Sequence, residues 1–66
     1  MTVTVNGEPR QLPEGATVAK LVDELSAPSR GVAVALDGEV VPRTAWSATA
    51  LREGARIEVV VAIQGG

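Results

Sequence analysis

The sequence predicts an α+β fold in which one main helix packs on one face of a mixed sheet of four to five strands. Three observations lead there. Asn6-Gly7 and Asp37-Gly38 each follow a short run in which valine or leucine alternates with polar residues (Thr2 to Val5) or small ones (Val32 to Leu36), and such Asx-Gly pairs favour the positive φ angles of type I′ hairpin turns. Val18, Leu21, Val22 and Leu25 fall at i, i+3, i+4 and i+7, the spacing of one apolar helical stripe. The stretch from Arg56 to Ile63 carries apolar residues on both of its alternating faces, which suits a strand in the middle of a sheet more than one at its edge.

Taken in order, Thr2 to Asn6 alternates polar and apolar, with Val3 and Val5 on one face. Asn6-Gly7 turns the chain, and Glu8 to Leu12 returns. Pro9 lacks a ladder donor, so this second strand belongs at a sheet edge. Pro13-Glu14-Gly15 breaks the pattern, and Thr17 is placed to cap the helix. Lys20 stands where Glu or Gln would complete a capping box. With Asp23 and Glu24 it forms the polar side of the helix, which Pro28 and Gly31 stop.

Val32, Val34 and Leu36 then alternate with small residues, Asp37-Gly38 turns the chain, and Glu39-Val40-Val41 returns before Pro42. Arg43 to Ala50 reads as a loop with one helical turn. Trp46, the only aromatic residue, is expected to anchor that loop from below, partly buried. Leu51-Arg52-Glu53-Gly54 is a further turn, and the final strand follows. Ile57, Val59 and Val61 lie on one of its faces, and Val60 and Ala62 on the other. The order is β-β-α-β-β-loop-β. Placing the last strand beside and parallel to the first, with the helix across one face, gives the β-grasp architecture of ubiquitin-like domains.

Composition narrows the function. A chain of 66 residues is one domain near the lower size limit for a self-supporting core, and no shift in composition divides it. Residues 1–66 are therefore read as a single domain, with 64–66 a flexible tail. Cysteine and histidine are both missing, which removes side-chain thiol chemistry, the commonest general base and the commonest metal ligand. Ser26, Ser29 and Ser47 have no histidine to activate them. Asp37 and Glu39 flank one glycine, a turn pattern and not a metal pair. The glycines before the tail are single and form no phosphate loop.

A net charge of −2 argues against nucleic acid as a partner. No apolar run is long enough to span a bilayer, and the start lacks the features of a secretory signal. These readings lead to the expectation of a soluble, cytoplasmic protein with no membrane association. It is also expected not to be an enzyme, and to bind no metal.

What remains is the end, "VVVAIQGG". Two glycines without Cβ atoms make a thin tail that can enter a narrow channel of another protein and present its carboxylate. A carboxylate is a poor electrophile because its leaving group would be oxide. Joined to AMP it becomes a reactive acyl-adenylate, which a sulfur nucleophile can convert to a thiocarboxylate.

Several segments together resemble the ThiS family, the sulfur carriers of thiamine biosynthesis. They are "VTVNGEPRQLPEGATVAKLVDEL", "VAVALDGEVVPRTAW", "LREGARIEVVVAI" and the terminal Gly65-Gly66. Within them "DGEVVPR" is similar to the family's Asn-Gly-x-x-Val-Pro-Arg, with Asp37 in place of the Asn. The resemblance implies that an ATP-dependent, ThiF-like enzyme adenylates Gly66, with Gly65 the slender approach to it. It implies further that a partner bearing a persulfide supplies sulfur, and that thiazole synthase takes it to build the thiazole of thiamine. The protein would then be a recharged cosubstrate with no bound cofactor, ATP being used by the activating enzyme. Val60 and Ala62, on the outer sheet face, and Arg43 are candidates for the partner surface. Rival readings are a sister carrier serving molybdopterin or cysteine synthesis, a ubiquitin-like protein modifier, and a passive interaction domain.

Overall fold

Two hairpins and a helix surround the last strand. The computed structural model describes residues 1–25 and 31–61. Strand β1 (Thr2–Val5) and β2 (Glu8–Gln11) form the first hairpin, α1 (Val18–Glu24) follows, and β3 (Val32–Leu36) and β4 (Glu39–Val41) form the second hairpin. A 3-10 helix over Arg43–Ala48 then leads to β5 (Arg56–Val61). The sheet has five strands in the order β2-β1-β5-β3-β4. The contact between β1 and β5 is parallel and the others are antiparallel. This is the β-grasp arrangement.

Both hairpins turn as their dipeptides require. Asn6 (φ 52°) and Gly7 (φ 84°), then Asp37 (φ 49°) and Gly38 (φ 88°), hold the paired positive φ angles of type I′ turns. Pro9 lies in β2 at one edge of the sheet, where its missing N–H removes a donor from the open side. The other edge, β4, is only three residues long, which also limits unwanted strand pairing.

Thr17 caps α1, its hydroxyl accepting a hydrogen bond from the Lys20 backbone N–H at 3.2 Å. Lys20 therefore contributes to the cap through its backbone, while its side chain pairs with Glu24 at 3.8 Å along the helix. Leu25, expected within the helix, is its cap residue, and its N–H still donates to the Leu21 carbonyl. Pro28, proposed as a stop, lies outside the described residues, as do Ala62 and Ile63 at the end of the expected last strand.

The core lies between α1 and one face of the sheet. Val18 and Leu21 from the helix meet Val3, Val34 and Ile57 from three adjacent strands, and all five are essentially inaccessible to solvent. Leu12, Ala16, Leu51 and Ala55 close its sides. The segment read as a loop with one turn is a 3-10 helix of six residues. Trp46 is 7% exposed beneath it, and its indole Nε1–H donates to the Val41 carbonyl at 2.9 Å. This bond ties the segment to β4 and satisfies the one polar atom of a buried ring.

The assignment of faces on β5 holds for Ile57, Val59 and Val60: Ile57 is fully buried and Val59 packs against the core while half-buried, whereas Val60 faces outward. Val61, expected on the inner face, is 42% exposed, because the core ends before it reaches the end of the strand. Ile57→Ala is accordingly expected to cost about 2–5 kcal/mol, a large share of the stability of so small a domain. Val60→Ala should change it by no more than about 0.5 kcal/mol. Urea titrations of the two variants check this, and equal midpoints would mean that β5 is turned over.

Candidate functional site

Strand β5 carries the chain from the middle of the sheet towards its terminal glycines. On the face without the helix, Val60 stands opposite Ala33 on β3, and Ala35 stands opposite both Glu58 on β5 and Val40 on β4. Residues directly opposite share a face, so Val60, Ala33, Ala35 and Val40 form one apolar area running across three strands. Val60 is 62% exposed and Val40 75% exposed. The two alanines between them keep the area low. Towards β1 the same face turns polar through Glu58, Arg56 and Thr4. The apolar part therefore lies on the side where β5 ends.

Arg43 is at that end too. Val41 pairs with Val34, and Val32, two residues earlier on β3, pairs with Val61. The chain thus leaves β4 at the same end of the sheet at which β5 finishes, and Arg43 opens the 3-10 helix there. Its exposed guanidinium lies 5.3 Å from the centre of the Trp46 ring, a cation–π distance. The buried indole holds the base of a cation whose outer side faces solvent. Of the sequence-based candidates, Val60 and Arg43 are thus brought to one end of the molecule. Ala62, Gly65 and Gly66 lie outside the described residues.

Two residues that the sequence suggested only as turn formers do more. Asn6 donates its backbone N–H to the Ile57 carbonyl at 2.9 Å. Its side-chain Oδ1 accepts from the Val59 N–H at 2.8 Å, and its Nδ2 donates to the Val59 carbonyl at 3.1 Å. Asp37 acts at the other end of β5. Its backbone N–H donates to the Arg56 carbonyl at 2.8 Å and its Oδ1 accepts from the Arg56 N–H at 2.9 Å. The only signal available in the sequence was the choice of Asn and Asp over Gly at the first turn position. A turn would have accepted any of the three.

Among the described residues no group of three or more His, Cys, Asp or Glu side chains gathers to hold a metal ion. Among the described residues, one open hollow of about 520 Å³ is lined by Asn6, Gly7, Arg56 and Glu58. Another, of about 350 Å³, lies near Asp37, Glu39 and Arg52. Thr49 also lines the second hollow, and its hydroxyl donates to the Ala45 carbonyl at 2.7 Å.

A family model described as the ThiS family matches residues 3–66. The sulfur carrier protein ThiS of Thermus thermophilus is 41% identical over 64 residues, covering 97% of this chain and 98% of the relative. The sulfur carrier protein ThiS of Escherichia coli is 30% identical over 66 residues, covering all of both. A thiazole synthase of Paramagnetospirillum magneticum is 38% identical over 66 residues; the chain spans about a fifth (20%) of that protein's length. Among solved structures, the crystal structure of a thiamine biosynthesis protein (ThiS) from Geobacter metallireducens superposes with a TM-score of 0.85 at 36% identity, covering the whole of both chains.

Because Arg43 is exposed, Arg43→Ala should lower unfolding stability by no more than about 1 kcal/mol. If the side chain belongs to the docking surface, partner affinity falls by more than that while stability does not. Parallel urea and binding titrations separate the two. A stability loss as large as the affinity loss would assign Arg43 to the fold alone.

Proposed function

The chain belongs to the ThiS family, and from that membership we propose that it is a sulfur carrier of thiamine biosynthesis whose reactive group is the carboxylate of Gly66. The observation that carries this reading is that the family match extends through both terminal glycines. Full-length similarity to two proteins named as sulfur carriers supports it.

The proposed chemistry needs no side chain of this protein as acid, base or nucleophile. A ThiF-like enzyme uses ATP to join AMP to the Gly66 carboxylate, releasing pyrophosphate. The terminal sulfur of a persulfide on a donor protein then attacks the acyl carbon and expels AMP. A thiol reduces the resulting acyl disulfide and leaves a thiocarboxylate. Thiazole synthase accepts that sulfur and returns the carboxylate. The protein is a cosubstrate in this cycle and not its catalyst, and it works in the cytoplasm without a resident cofactor. Similarity to part of a thiazole synthase supports the choice of acceptor over the synthases of molybdopterin or cysteine.

Residues 1–66 act in this reading as one unit, with 64–66 as the reactive tail. Gly65 has no Cβ and lets the tail enter a narrow channel. The outer face supplies the grip. Val60 lies on it, next to Ala33 and Ala35, with Ala62 continuing the alternation in sequence, and Arg43 at the same sheet end. An apolar area of this kind beside the tail suits docking of a partner that must reach Gly66.

Since the reacting group is the terminal carboxylate itself, one added alanine after Gly66 should abolish sulfur delivery in a reconstituted assay and leave the unfolding midpoint unchanged. An alanine-extended protein that still delivers sulfur without being trimmed would contradict the proposal.

A further inference from the structure

We infer that Asn6 is a positioning residue for the carrier reaction proposed above, because its side chain completes β5 where β1 turns away and so fixes the strand from which the tail departs. The inference rests on the carrier reading and on three hydrogen bonds.

Strand β1 pairs with β5 only through Thr4 with Arg56 and Val5 with Ile57. It then turns at Asn6-Gly7, while β5 runs on to Val61 with β3 alongside it. On the side that β1 leaves, the next peptide groups of β5 to face outward belong to Val59. A carboxamide carries one N–H donor group and one carbonyl acceptor in the arrangement of a backbone peptide. The Asn6 carboxamide uses both, accepting from the Val59 N–H and donating to the Val59 carbonyl. One side chain thereby takes the place of one more residue of β1. The anchoring of β5 on that side advances from Ile57 to Val59, two residues before its last described residue.

Asn6 can do this because of its turn. With φ at 52°, a left-handed conformation that Asn tolerates, it stands at the first turn position beside the edge of β5. Glycine would make the same turn and leave the edge open. Aspartate could accept from Val59 N–H but could not donate to the carbonyl. The second turn provides a natural comparison. Asp37 accepts from the Arg56 N–H, the same half of the interaction, at the end of β5 away from the tail.

This gives a matched pair of variants. Asn6→Gly and Asp37→Gly both keep a glycine-compatible type I′ turn, and each removes a side-chain clasp from β5. Amide exchange should show the Val59 amide exchanging at least about tenfold faster in Asn6→Gly, and the Arg56 amide doing so in Asp37→Gly, with the Val34 amide as internal reference. With ATP and a ThiF-like enzyme, pyrophosphate release from Asn6→Gly should show a several-fold lower kcat/KM. Asp37→Gly should match the unmodified protein, and Asn6→Asp should recover part of the Val59 protection. The inference is overturned if Val59 keeps its protection in Asn6→Gly, if that variant is adenylated as well as the unmodified protein, or if both glycine variants slow equally. An unmodified protein that is itself inert to the activating enzyme would instead reject the carrier reading.

Discussion

Strand β5 occupies the centre of the sheet, yet β1 pairs only with its Arg56 and Ile57 and β3 pairs with it only from Ile57 to Val61. Each neighbour leaves one part of the strand without a strand partner, and the backbone N–H and C=O groups there still call for hydrogen bonds. Asn6 extends the β1 side to Val59, and Asp37 extends the β3 side to Arg56. The two hairpin turns therefore act beyond their own hairpins. They let two short strands hold a longer one, and the core depends on that strand because Ile57 lies at its centre.

This arrangement separates stability from reactivity. The inner face of β5 binds the helix through Ile57 and Val59, while its outer face presents Val60 beside Ala33. A change on one face need not disturb the other, which suits a carrier that several proteins must grip in turn. The reactive atoms of the proposed cycle are those of the chain terminus, and ATP, sulfur and acid–base groups all come from partners. That division explains why a chain without cysteine or histidine can take part in sulfur transfer. In the proposed cycle its own contribution is a rigid frame, a docking face and the terminal glycine.

Much of the frame was legible in the sequence, for reasons that differ between elements. Asn6-Gly7 and Asp37-Gly38 announced both hairpins because few dipeptides tolerate two consecutive positive φ angles. Pro9 marked an edge through its missing donor, and the apolar residues on both faces of β5 marked a centre. The 3-10 helix over Arg43–Ala48 was seen only as a loop with one turn, since no capping side chain marks its start. Trp46 bonds the Val41 carbonyl five residues back, and Thr17 bridges to Ala50, and neither contact has a sequence signature. For the site, Gly66 was named from chemistry and resemblance and Val60 from strand alternation. The clasps were not legible, because a side chain that bonds a distant strand looks in sequence like any other turn residue.

Gly66 is proposed as the point at which this protein is activated and loaded. This role is tested most directly by the intact mass of the full chain after incubation with ATP, a sulfur source and the activating enzyme, followed by fragmentation. Exchange of one oxygen for sulfur, confined to the fragment containing Gly66, is the expected result. Localisation is essential because oxidation of Met1 or Trp46 adds nearly the same mass. An unchanged Gly66 in the presence of an enzyme that activates another carrier under the same conditions would contradict it.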